Sequence, residues 1–236
     1  WRANVSNEIE IRPRFLVCCL AIATAVLAAA HVSLVVVRYG FGYDYLFGLV
    51  PLFHFVEEHN FPSYFSSFLL LLTAVLLAIR GEVLRQARAR WGFHWLGMAA
   101  VFAFLAIDEA LALHELLMIP VRTALGTSGF LYAAWIIPYG IALLVLAALY
   151  VRFFLALSSE TRKMFVLAAV LFLLGAVGLE AVSGSIWEDQ AVLSPLLDLS
   201  IFLEDFFEMA GAIVFIWAIS NELATSAVGL RFVHSR

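Results

Sequence analysis

Long apolar stretches separated by short polar ones run the length of this chain. Residues 15–37, 62–79, 95–118, 130–151, 164–183 and 195–220 are apolar over most of their length. About 20 such residues are what a helix needs to cross the hydrocarbon of a bilayer. A seventh stretch, 46–56, is too short and carries Pro51 and His54, so it predicts an interfacial or re-entrant helix. The expected fold is all-α: an integral membrane bundle of about six transmembrane helices, one domain over residues 1–236. The connections are short, so consecutive helices should pack as antiparallel neighbours.

Composition agrees with this pattern. The chain is 64% hydrophobic and only 14% charged, whereas a soluble domain is about a quarter charged. Most side chains must therefore meet lipid. The net charge of −4 argues against nucleic acid as a partner, because phosphate binding needs clustered Lys and Arg. Cys18 and Cys19 are adjacent in the first apolar run and read as small apolar side chains rather than as a disulfide or metal pair. Ala28, Ala29 and Ala30 resemble a signal-peptidase site, but the apolar run continues past them, which predicts an uncleaved span. The chain opens on Trp1, and a start upstream of it is expected.

Charge sets the orientation. With the N-terminus in the cytoplasm, twelve of the fourteen basic residues fall on the inner side, leaving Arg38 and Arg122 outside. This satisfies the positive-inside rule and puts both termini in the cytoplasm of a bacterial inner membrane; the use of Arg over Lys fits a GC-rich bacterial genome.

In that orientation thirteen of the eighteen acidic residues lie in outer loops or the outer halves of helices. Asp44, Glu188 and Asp189 read as solvated loop acids. Asp108, Glu109, Glu115, Glu180, Glu204, Asp205 and Glu208 lie within apolar spans. A charged side chain at the centre of a spanning helix costs roughly 2.5–3.5 kcal/mol on insertion scales, so such groups face a bundle interior or a wet cavity.

Helical spacing groups them further. At about 100° per residue, Asp108 and Glu115 fall within about 20° of each other, while His114 lies about 120° from Asp108. His114 is therefore expected to be a hydrogen-bond partner, or a ligand with Glu115 alone. Glu204 and Glu208, four apart, share a face with Asp205 on its flank. His54 and Glu58 are also four apart and would share a face if that stretch were helical. Asp108 and Glu115 are expected to face Glu204 and Glu208 across a polar pocket, with His54 and Glu58 closing it from above.

Such a cluster repels itself unless metal, protons or nearby cations offset the charge. Arg38 and Arg122 are too few, so the site should hold a divalent metal or protons. Carboxylate with imidazole suits Zn, Mn or Fe, and an all-oxygen set suits Ca or Mg. The candidate ligands are Asp108, Glu115, Glu204, Glu208, His114, His54 and Glu58. Without a Ser or Cys nucleophile constellation, any hydrolysis would rely on metal-activated water. The main alternative is a non-enzymatic accessory subunit of a larger membrane complex. A transporter would need an inner opening, and the inner halves of the spans lack acids.

Other residues read structurally. Asn60 and Pro62 suit a helix start, and Ser66 and Ser67 line the bundle. Gly175, Gly178 and Gly211 permit close helix approach. Trp135, Pro138 and Tyr139 form an interfacial belt with a kink. His94 and His234 receive no role.

Three stretches, Glu57-Glu58-His59-Asn60-Phe61-Pro62, Asp108-Glu109 with His114-Glu115, and Glu204-Asp205-Phe206-Phe207-Glu208-Met209-Ala210-Gly211, together resemble a family of uncharacterised bacterial polytopic membrane proteins. That resemblance spans most of the chain and implies no reaction. The chain is more distantly similar to intramembrane zinc hydrolases of the alkaline ceramidase kind, which gather His and Asp on one membrane face. It departs from their spaced His-x-x-x-His pair, so none of their ligands is carried over.

Overall fold

A computed structural model describes residues 12–225. Arg2, Glu8, Glu10, Arg231, His234 and Arg236 lie outside the described residues. Among those described the protein is all-α, with no strand. Helix α1 covers Pro13–Phe41, α2 Leu49–Phe53, α3 Phe61–Gln86, α4 Gly92–Leu111 and α5 Met118–Leu125. Helix α6 covers Ile136–Ala156, α7 Ser159–Leu173, α8 Glu180–Gln190 and α9 Pro195–Thr225. A π-helical segment, Leu174–Leu179, joins α7 to α8 without a break, so the pair runs as one rod from Ser159 to Gln190.

Five of these helices are long and apolar enough to cross a membrane: α1, α3, α4, α6 and the α7–α8 rod. This is a membrane protein whose outer surface meets lipid. The exception is α9. It carries Asp198, Glu204, Asp205, Glu208 and Glu222 and is not among the five. It is nevertheless the most enclosed helix, packed against α1, α3, α7 and α8, with Met209, Ile216 and Ile219 fully buried. Its 31 residues exceed the length that crosses about 30 Å of hydrocarbon. The protein shields this helix from lipid, as an acid-bearing helix requires.

The core clusters Leu69, Leu76 and Leu77 of α3, Trp95 of α4, Phe153 of α6 and Phe165 of α7 around α9. Two glycines let the α7–α8 rod close on α9. A Cβ on Gly211 would stand 2.6 Å from the Phe172 nitrogen, and one on Gly175 would stand 2.4 Å from the Glu204 carbonyl oxygen. The expected role of both glycines as close-approach positions agrees with this packing. Gly178 differs, since a Cβ there meets only Leu174 Cδ1 at 3.4 Å. At the Arg-rich end, Arg80 of α3 meets Glu222 of α9 at 3.2 Å, and the Thr161 hydroxyl of α7 donates to the other Glu222 oxygen. That polar tie closes the end away from the acids.

Several element boundaries differ from the sequence expectation: the second span runs on to Gln86, and the fourth, expected from 130, begins at Ile136 and ends at Ala156. The third span, expected to reach 118, ends at Leu111, where Ala112 takes a left-handed conformation (φ 49°). A 3₁₀ turn over His114–Leu117 and then α5 follow. The fifth span runs on past 183 to Gln190 through the π segment. The short stretch at 46–56 is a 3₁₀ turn over Leu46–Gly48 and an α-helix over Leu49–Phe53, and His54 is already extended (ψ 126°). His54 and Glu58 therefore do not share a helical face.

Candidate cation site in an acid-lined cavity

Between α4, α6, the α7–α8 rod and α9 lies a cavity of about 1100 Å³. Nine acidic residues line it: Glu57, Glu58, Asp108, Glu109, Glu115, Glu180, Glu204, Asp205 and Glu208. Two basic side chains, His114 and Arg122, join them. Asp108 and Glu115 line one cavity with Glu204 and Glu208, but because α4 ends at Leu111 and Glu115 lies in the following 3₁₀ turn, the two do not form the helical stripe expected of them. His54 is not among the lining residues, although Glu58 is.

Each acid reaches the cavity by local geometry. Asp108 sits in the last turn of α4, and its carboxylate accepts three contacts: the Tyr139 hydroxyl at 2.9 Å, the His114 backbone N–H at 2.8 Å and His114 Nδ1 at 3.3 Å. Asp108 thereby caps the turn that ends α4. His114 takes the hydrogen-bonding role expected of it, and the helix between it and Asp108 is broken. Glu180 accepts from Trp135 Nε1 at 3.2 Å. Glu204 accepts from the Ser183 hydroxyl at 2.8 Å and lies beside Glu180. Glu109 faces Ser66. Ser67 instead donates to the Ala106 carbonyl at 2.7 Å, tying α3 to α4.

Tyr139, Trp135 and Ser183 were not singled out as site residues. Two aromatics whose polar tips need partners inside a bundle, one helical turn apart opposite an acid-bearing span, were the available signal.

Glu204, Asp205 and Glu208 each place a carboxylate oxygen within 4.8 Å of the others, close enough to hold one ion together. They occupy one face of α9, where Gly175 brings the α7–α8 rod against the Glu204 carbonyl. Arg122 is held against Tyr132, its Nε donating to the Tyr132 carbonyl at 3.0 Å and its guanidinium lying 3.5 Å from the Tyr132 ring centre.

Two groups outside the spans show the field of this cluster. Burial pushes the Glu58 carboxyl up, the charge of Glu115 adds to it, and His114 and His59 oppose. Burial works against a charged His114, yet the hydrogen bond and charge of Asp108, with Glu109 and Glu180 behind it, hold its imidazole above the usual 6.5. A raised histidine pKa gives stability that is fully present below 6.5 and lost as pH rises through the raised value. His114→Gln should therefore flatten the pH dependence of the unfolding midpoint as pH rises above 6.5. An unchanged profile would remove His114 from the charge balance.

A second polar group lies outside the cavity. His31 of α1, His54 after α2 and Asp198 of α9 meet at 2%, 0% and 1% exposure. His31 Nε2 is 3.4 Å from Asp198 Oδ1, and His54 Nε2 is 2.9 Å from Oδ2. By proximity these three could hold a metal. The proton arrangement favours another use. His31 Nδ1 accepts the Phe55 backbone N–H at 3.2 Å, so in a neutral ring the proton must sit on Nε2, facing Asp198. A lone pair there is not available to an ion. Phe202 stacks on His31 with ring centres 4.8 Å apart, and Phe55 packs edge-on to both rings. This is a sealed clasp. Asn60 extends it: its amide donates to the His54 carbonyl at 2.7 Å, and its side-chain oxygen caps α3 through the Ser63 N–H at 3.2 Å. The clasp and cap together hold Glu57 and Glu58 over the cavity.

The match to a family model covers residues 19–222 and is described as a domain of unknown function (DUF8692). The chain belongs to that family. No curated protein and no solved structure matches it, so the distant likeness to alkaline ceramidases gains no support. The matched span takes in both clusters, from His31 to Glu208.

Proposed function

We propose that this is a bacterial inner-membrane protein whose acid-lined cavity binds a divalent cation, with Glu204, Asp205 and Glu208 as the principal ligands. The observation that carries this reading is the convergence of those three carboxylates within one cavity lined by nine acids and two basic side chains. Carboxylates at such spacing need a cation or protons between them. An all-oxygen set suits Ca, Mg or Mn better than Zn. Asp108 then serves as a positioning group, held by Tyr139 and His114, and Glu115, Glu109 and Glu58 supply outlying negative charge. In this reading both termini lie in the cytoplasm and the cavity faces the periplasm.

Metal analysis of the desalted protein tests it. The wild type should retain about one divalent ion per chain, and Glu204→Gln with Glu208→Gln should lose it while the helical signal is kept. Asp198→Asn, made separately, should retain the ion. Loss in Asp198→Asn but not in the double variant would move the site to the histidine clasp. No stoichiometric ion, with other membrane proteins co-purifying, would favour the accessory-subunit reading. Single cysteines placed in 80–90 and beside Glu188 test orientation: an impermeant thiol reagent on intact cells should label only the second.

A further inference from the structure

The cavity is larger than an ion requires and has two unlike halves. Beyond the acids it continues between α4, α6 and α7 along apolar side chains, among them Val101, Phe104, Leu143, Leu146, Leu173 and Val177. Val101 precedes Asp108, and Leu173 precedes Glu180, by two helical turns, so this limb extends about 10 Å from the acids.

Helix α6 bounds it and is pinned at both ends. Tyr139 bonds Asp108 at one end. At the other, the Tyr150 hydroxyl donates to the His94 carbonyl at 3.2 Å, and Phe153 is buried against Trp95. Between those pins Gly140 lines the cavity, and a Cβ placed on it would meet nothing within 4 Å. The space beside α6 is open. In a bilayer, an apolar limb of this kind is filled by hydrocarbon.

The geometry points to a single-chain amphiphile with a protonated amine headgroup as the organic ligand of this cavity, its alkyl chain in the apolar limb and its amine among the carboxylates. The inference rests on the cation-site reading to the extent that both use the same acids. One divalent ion offsets two charges, which leaves most of the nine carboxylates to be balanced. Trp135 and Trp187 line the same chamber, and indole faces attract cationic groups. A phosphate head would meet repulsion from these acids, and a neutral alcohol would leave the charge unbalanced.

The test uses the full chain in phosphatidylcholine nanodiscs, with tryptophan fluorescence reading the titration of dodecylamine, dodecyl phosphate and dodecanol. Dodecylamine should give a saturable change that empty discs lack, at least tenfold tighter than either other ligand, a difference of about 1.4 kcal/mol. Gly140→Trp should weaken dodecylamine tenfold or more while leaving divalent-ion content unchanged, because it fills the limb without touching an acid. Gly140→Ala should bind as wild type, and Leu143→Trp provides a second block if Gly140→Trp does not fold. Equal binding of the three amphiphiles, or full dodecylamine binding in both blocked variants, overturns the inference. The Glu204→Gln, Glu208→Gln variant should bind dodecylamine more weakly, and wild-type amine binding in that variant would also overturn the inference. Absence of an ion from wild type with selective amine binding intact would refute the metal reading alone.

Discussion

Asp198→Ala is expected to lower stability by about 1–3 kcal/mol, the cost of leaving a buried polar group without its partner. Asp198 is 1% exposed, and its carboxylate lies between His31 and His54. Its removal strands two imidazoles in a sealed, aromatic-lined space. His54 bears the larger loss: its Nε2 stands 2.9 Å from Asp198, and its ring nitrogens have no aligned hydrogen bond among the described residues. His31 keeps its contact with the Phe55 N–H. The effect should appear as a lower unfolding midpoint in detergent, together with faster proteolysis within 46–60, which loses its tether to α9. A double-mutant cycle with His54→Ala should show strong coupling, since removing both partners leaves nothing unpaired between them. Additive effects would show that the two residues contribute independently and that the clasp is not a unit.

Gly175→Ala should be the most damaging small substitution in the bundle. The added Cβ would lie 2.4 Å from the Glu204 carbonyl oxygen and 2.8 Å from Glu208 Cγ. The first contact is backbone, so no rotamer change relieves it, and the α7–α8 rod must move away from α9. Overpacking of this kind costs about 1–3 kcal/mol. The movement would also shift Ser183 from Glu204, separating the carboxylates from their support. The variant should therefore lose both thermal stability and bound cation. Gly178→Ala, with only the Leu174 side chain at 3.4 Å, is the control and should behave nearly as wild type. Equal behaviour of the two variants would mean that the π segment does not set the position of Glu204.

The spans were legible because lipid imposes a length and a composition that few other environments do. Their ends were less so. Nothing in Ala112 announces a left-handed break, since neither Gly nor Pro stands there; the break follows from Asp108 turning to accept the His114 N–H, a tertiary preference that overrides helix propensity. The π segment was hidden for a similar reason, because Gly175 and Gly178 read only as small residues. Of the candidate ligands, Asp108, Glu115, Glu204, Glu208, His114 and Glu58 meet in one cavity, as acids too costly to face lipid should. His54 was grouped by a helical spacing that the chain does not adopt, and its true partners are 23 residues before it and far along the sequence at Asp198. A histidine inside an otherwise apolar first span was the signal for that clasp, since His31, like the acids, had to find a polar partner inside the bundle.

The enclosure of α9 has a consequence for biosynthesis. Every ligand proposed for the cation, and one arm of the histidine clasp, belongs to the helix made after all the other described ones. The translocon thus meets its least lipid-soluble segment when the surrounding wall already exists. Seven acids within the expected spans would each tax insertion of an isolated segment, but the three of them on α9 enter a preformed polar slot. Truncated nascent chains ending before 195 should therefore hold five inserted helices with an open seam, and membrane integration of α9 should depend on those five being present in the same molecule.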